Sequence, residues 1–153
     1  FNMAGLMFSN IIVRHPAVRA LMAEHDKLFG CVNPLSVTAS QAAYEKGDAW
    51  LSELRAYLDE NFRFVESFLK ENLPEAVFRL PEATYLAWVD MGRCLPDEPD
   101  LPGFFANKAG VLLEGGNSLF VDNAEGFIRL NLAMPRSIIE KGLRRMTEAI
   151  RNR

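Results

Sequence analysis

Two cysteines and two histidines are all that this 153-residue chain offers to disulfide or soft-metal chemistry. Cys31 and Cys94 form no CxxC spacing, and His15 and His25 are too far apart for the i,i+4 pair of a helical zinc site. A metal centre is therefore not expected. No secretory segment is evident, so the cysteines read most simply as free thiols in a reducing cytoplasm, the expected localisation. Apolar runs long enough to cross a bilayer, about 20 residues, are missing too. Excess positive charge is absent: the formal net charge is -3. Basic residues gather only at Arg144, Arg145, Arg151 and Arg153, where they suit a helix C-terminus, so neither nucleic acid nor a membrane is an expected partner. Internal repeats and low-complexity tracts are lacking. So is an initiating methionine, and the opening at Phe1 reads as that of a fragment or processed product.

What is present is the balance of an ordinary globular protein, 49% hydrophobic and 24% charged. A chain of this length can bury roughly 70% of its unfolded surface. Its most informative stretch is Gly126-Phe127-Ile128-Arg129-Leu130-Asn131-Leu132-Ala133-Met134-Pro135-Arg136. Strand alternation sets Ile128, Leu130 and Leu132 on one face and Phe127, Arg129 and Asn131 on the other. A guanidinium among apolar neighbours is costly to desolvate unless it meets an anion, and its planar fork suits a carboxylate. Two readings of Arg129 are open: an ion pair with one of the chain's own acids, or a socket for a ligand carboxylate.

The rest of the chain divides by period and punctuation. Gly5 to Val13 fits a strand. His15-Pro16 opens a helix whose shared face is Val18, Leu21, Met22, His25 and Phe29, with Gly30 as terminator. A second helix runs from Pro34 to Lys46. The longest helix, capped by Asp48, carries the stripe Trp50, Leu51, Leu54, Tyr57, Leu58, Phe62, Val65, Phe68 and Leu69, and stops at Asn72-Leu73-Pro74. Ala76–Leu80 and Thr84–Met91 read as a hairpin, Arg93–Pro102 as a surface loop and Leu101–Lys108 as a short helix. Gly110–Leu113 reads as a brief strand. Gly115 and Gly116 form a loop where glycine permits backbone conformations closed to other residues. Ser137-Ile138-Ile139-Glu140 is a capping box for a closing helix that buries Leu143, Met146 and Ile150. The fold class is α+β, with antiparallel strands covered on one side by helices.

Several of these pieces together resemble a known family. Ala42-Ala43-Tyr44-Glu45-Lys46-Gly47-Asp48-Ala49-Trp50-Leu51, then Leu54, Tyr57-Leu58 and Asn61, is similar to the pyridoxal-phosphate carbon–sulfur β-lyases of the cystathionine β-lyase type, within the class I/II aminotransferase superfamily. Pro81-Glu82-Ala83-Thr84-Tyr85-Leu86-Ala87-Trp88 resembles their Pro-Glu-Gly-Thr-Tyr strand start, with Ala83 where glycine is usual. Arg129-Leu130-Asn131 with Pro135-Arg136 resembles their closing motif. Phe1-Asn2-Met3-Ala4-Gly5-Leu6 resembles the text that directly follows a Lys-Thr or Lys-Ser pair in the family, whose lysine binds the cofactor and would lie upstream of Phe1. In the superfamily's aminotransferases a phosphate-binding arginine follows two positions after the equivalent of Gly5. Met7 stands there, which favours the lyase branch.

The resemblance implies a fold-type-I arrangement, with residues 1–46 the tail of the large pyridoxal-phosphate-binding domain and residues 47–153 the small C-terminal domain. It implies a homodimeric parent that uses pyridoxal 5'-phosphate to cleave the C–S bond of cystathionine or cysteine-type substrates by β-elimination, yielding thiol, pyruvate and ammonia. The chain alone, without the catalytic lysine, is expected to be inactive. Arg129 would grip the substrate's α-carboxylate. Asn131 would orient it or make a structural hydrogen bond, Tyr85 would face the cleft or pack, and Gly115 and Gly116 would bring backbone near the substrate or simply turn the chain. Arg136 reads as a surface or domain-contact residue. Lys27, Lys46, Lys70, Lys108 and Lys141 fall at solvent-type helix positions. An aminotransferase, or a non-catalytic amino-acid-binding or association module, is the alternative reading.

Overall fold

The computed structural model describes residues 1–25, 31–119 and 123–153. They form two compact units, Phe1–Leu54 and Arg55–Arg153.

In the first unit, Pro34 and Gly47 mark the ends of a helix as the sequence indicates. Helix α1 is Pro16–His25, and α2 is Pro34–Lys46, where the Asn33 side chain accepts a hydrogen bond from the Leu35 amide at 2.9 Å. The Phe1 ring lies edge-on to Tyr44 and stacks on Trp50. The strand expected over Gly5–Val13 does not form. A 3-10 turn occupies Ala4–Leu6, and Met7 and Ile12 are 90% and 87% exposed. Their β-branched and apolar character signals a surface suited to a sheet, but a strand also needs a neighbouring edge, and no described strand pairs with it. No residue of α1 is buried either, so its expected inner face stands open at Val18 and Leu21. The expected Phe29 contact and Gly30 terminator lie outside the described residues.

Helix α3, Asp48–Asn72, crosses the boundary between the units. Asp48 is its first residue, where a carboxylate suits the positive end of the helix dipole. The second unit is built on a sheet of four strands: β1 Val77–Phe78, β2 Leu86–Asp90, β3 Glu114–Gly115 and β4 Phe127–Asn131. Their order is β1-β2-β4-β3, antiparallel throughout. Alternation places Ala87, Val89 and Ile128 on the inner face, all fully buried. They pack into one core with Phe62, Val65, Phe68 and Leu69 of α3 and with Ile139, Leu143 and Met146 of the closing helix. Each of the larger side chains among them, valine upward, contributes roughly 1.5–3 kcal/mol of hydrophobic stabilisation before entropy is set against it.

Between β2 and β3 the chain makes helix α4, Leu101–Phe104, which runs into a π-helical turn over Phe105–Ala109. Gly110 ends that turn with φ +61°. This left-handed residue redirects the chain, so the strand expected at Gly110–Leu113 appears only at Glu114–Gly115, and Leu112 is left 90% exposed. Helix α5 is Gly116–Leu119, and α6 is Arg136–Arg151. The capping box expected at Ser137 is absent, because the helix begins one residue before it. Pro135 holds the extended conformation ahead of Arg136 without a side-chain cap, and Glu140 instead accepts hydrogen bonds from Arg144.

Candidate functional site

Arg129 sits at the centre of β4, directly opposite Trp88 of β2 on one side and Glu114 of β3 on the other. All three share the sheet face turned away from the core, as the strand period requires. Phe127, two residues back, stacks on Trp88 with ring centroids 5.2 Å apart. The guanidinium of Arg129 pairs with the Glu114 carboxylate: Nε donates to Oε2 at 2.7 Å, and Nη2 donates to the same oxygen. The two side chains are 29% and 53% exposed.

The pair does not close the site. Arg129 is also in the wall of a cavity of about 360 Å³, which reaches along β4 to Leu132 and across to Ile138, Leu143, Arg145 and Met146 of α6. Of the two sequence readings of the arginine, the geometry shows the internal partner, and the wall that Arg129 shares leaves open space as well. A half-exposed ion pair is worth ~0–1 kcal/mol, so Glu114 is a weak competitor for the guanidinium. With Nε and Nη2 both turned to one oxygen, the remaining N–H groups of the fork can receive another carboxylate.

The other expected site residues are less gathered. Asn131 lines the same cavity, but its Oδ1 accepts a hydrogen bond from the Ala133 amide at 2.9 Å, which fixes the end of the strand. Tyr85 precedes β2 with the parity of Ala87 and Val89, opposite to Trp88 and Arg129, and its carbonyl accepts from the Leu132 amide. Gly115 pairs with Ile128, and both Gly115 and Gly116 are buried. Neither has positive φ. The conformational freedom expected of them is not what selects glycine: a Cβ on Gly115 would meet the Pro102 ring at 2.7 Å, and one on Gly116 would run into the Ala124 backbone carbonyl. They border a smaller cavity of about 110 Å³, away from the one beside Arg129.

Two features escape a reading of the sequence. Glu114 lies far upstream of Arg129 in a stretch with no local signal for the pairing. The second is a polar cluster at the turn from β4 into α6. Asn61, fully buried, donates through Nδ2 to the carbonyls of Leu132 and Met134 and accepts from Arg136 Nε. The Tyr57 hydroxyl donates to the Met134 carbonyl and accepts from the Arg136 amide. Arg136, expected at the surface or a domain contact, also pairs with Glu60 at 3.0 Å. A signal for Asn61 exists: it is a polar residue at helical spacing with Tyr57, Val65 and Phe68 on the apolar stripe.

The comparisons with known proteins point one way. A C–S lyase from Staphylococcus hominis, solved with pyridoxal phosphate and the inhibitor L-cycloserine, superposes with a TM-score of 0.89 and 47% identity over 99% of this chain and 39% of its own. Along nearly its whole length the chain is similar to C–S lyases. The cystathionine β-lyase PatB of Bacillus subtilis is 36% identical over 98% of this chain. Cystalysin from Treponema denticola, a structure that contains pyridoxal 5'-phosphate, gives a TM-score of 0.87 at 34% identity over 99% of this chain and 39% of its own. No family model matches. The chain spans about two-fifths of the length of these relatives, 39% of PatB.

Among the described residues of the chain, no group of histidine, cysteine, aspartate or glutamate is placed to hold a metal ion, and no helix is long and apolar enough to cross a membrane. Lys46, Lys70, Lys108 and Lys141 are all exposed; Lys27 lies outside the described residues.

Proposed function

We propose that this chain is the C-terminal part of a pyridoxal-phosphate-dependent lyase that cleaves the C–S bond of cystathionine or cysteine-type amino acids by β-elimination to thiol, pyruvate and ammonia. Its own contribution is substrate recognition, with Arg129 receiving the α-carboxylate. The observation that carries this reading is an arginine in the wall of a cavity, in a chain similar along nearly its whole length to C–S lyases.

The described residues do not by themselves fit pyridoxal phosphate. The described lysines are all exposed, and Met7, at the position where superfamily aminotransferases carry a phosphate-binding arginine, is a neutral side chain open to solvent. When bound in such an enzyme, the cofactor supplies an electron sink for negative charge at the substrate's α-carbon. Arg129 acts at the substrate instead. A carboxylate held by a planar fork fixes rotation about the bond to the α-carbon, and so decides which of that carbon's bonds is presented for cleavage.

In this reading residues 1–46 are the tail of the large domain and residues 47–153 the small domain. The parent is a homodimer, as the superfamily resemblance implies, and is cytoplasmic, in keeping with the unbridged thiols of Cys31 and Cys94. The test is turnover by the purified full-length gene product loaded with pyridoxal phosphate. Release of pyruvate and thiol from cystathionine or cysteine supports the proposal. Amino-group transfer to a keto acid without pyruvate release, or no turnover of either kind, overturns it.

A further inference from the structure

We infer that Asn61 is a positioning residue for substrate binding, acting through the strand that carries Arg129; the inference rests on the carboxylate-binding role proposed for that arginine. Beyond its last paired residue, Asn131, strand β4 continues through Leu132, Ala133 and Met134 to Pro135 and then into α6. The carbonyls of Leu132 and Met134 lie past the β2–β4 ladder and need other partners. Asn61 supplies them, with Nδ2 at 2.9 Å from the first and 3.2 Å from the second. Its Oδ1 takes the Arg136 Nε at 3.1 Å. One amide group thus uses both donor hydrogens and one acceptor position on a single turn of chain.

A leucine would suit the stripe of α3 better, since an amide in apolar surroundings is unfavourable unless it is hydrogen-bonded. Its bonds converge on the end of β4, three residues from Arg129. Tyr57, one helical turn earlier, reaches the same turn with its hydroxyl, at 3.3 Å from the Met134 carbonyl and 3.1 Å from the Arg136 amide. At the other end of β4 the Met91 amide donates to the Gly126 carbonyl at 2.7 Å. The strand is held at both ends, and its middle carries the guanidinium. A bidentate grip tolerates little displacement, so a β4 end freed from α3 would blur the placement of Arg129 without touching the substrate.

The experiment compares Asn61→Ala, Tyr57→Phe and Arg129→Ala in the full-length holoenzyme, singly and combined, by kcat/KM for cystathionine, with thermal unfolding alongside. We expect Asn61→Ala to lower kcat/KM about tenfold or more, mainly through KM, and Tyr57→Phe to lower it about threefold, since small misplacements of a reacting group weaken catalysis steeply. In the Arg129→Ala background the same changes should have no further effect. Should Asn61→Ala not fold, Tyr57→Phe decides alone, because it keeps the ring and removes only the hydroxyl. Lowered unfolding temperature with unchanged kcat/KM, or losses that persist in full without Arg129, overturns the inference. If Arg129→Ala by itself leaves kcat/KM at the wild-type value, the carboxylate-binding role fails first and takes this inference with it.

Discussion

Arg129 and Glu114 face each other across neighbouring antiparallel strands, and two nitrogens of the guanidinium share one oxygen of the carboxylate. The acid thus occupies part of the fork that an amino-acid substrate would use. Both side chains reach solvent, so the pair is loose enough to yield.

Glu114→Gln removes the competing charge and keeps the shape. In the full-length enzyme the KM for an amino-acid substrate should fall by up to about fivefold, the equivalent of the ~1 kcal/mol that a half-exposed pair can supply. Steady-state kinetics check this. A raised KM would mean that Glu114 helps to bind substrate.

Gly116→Ala and Gly142→Ala should move stability in opposite directions. At Gly116 the added methyl collides with the Ala124 backbone carbonyl, whereas at Gly142, inside α6, nothing lies within 4 Å. The first change should cost about 1–3 kcal/mol through overpacking. The second should stabilise by roughly 0.5–1 kcal/mol through helix propensity. Urea unfolding of the two variants measures both.

Burial pushes the Cys94 thiol above the ordinary thiol range, and the charges of Glu75 and Asp90 add to the effect. The folded state therefore holds the proton more tightly than the unfolded chain does. Any stability from this group is present below the unfolded thiol's pKa and is lost as pH rises through the raised folded value. Less thiolate at neutral pH also means slow alkylation. Iodoacetamide labelling of the folded protein, resolved by peptide mass, should find Cys94 modified slowly at about pH 7.5 and markedly faster above about pH 9.

The parts of the fold that the sequence reveals are those written in local code. Proline and glycine punctuate α2, and the 3.6-residue stripe of α3 ends at Asn72-Leu73-Pro74 as read. Period-2 alternation in β4 puts Ile128 inside and Arg129 on the opposite face, which the structure bears out. What stays hidden depends on distant partners. The apolar run before Arg14 has strand-like text and no described edge to join. The brief strand expected over Gly110–Leu113 slips to Glu114–Gly115 because one left-handed glycine turns the chain. Asn61 reads as one polar residue in a stripe until its bonds to carbonyls more than seventy positions away are drawn. Glu114 is invisible for the same reason: an ion pair across two strands leaves no trace in either strand's own pattern.

The central claim is tested most directly by kcat/KM of the Arg129→Ala full-length holoenzyme on cystathionine, beside its unfolding temperature. Truncating one partner of a charge-assisted contact to the substrate costs about 2–5 kcal/mol, so kcat/KM should fall on the order of a hundredfold or more. Stability should change by no more than the ~1 kcal/mol of the pair with Glu114. Turnover close to wild type by a folded variant would contradict the account.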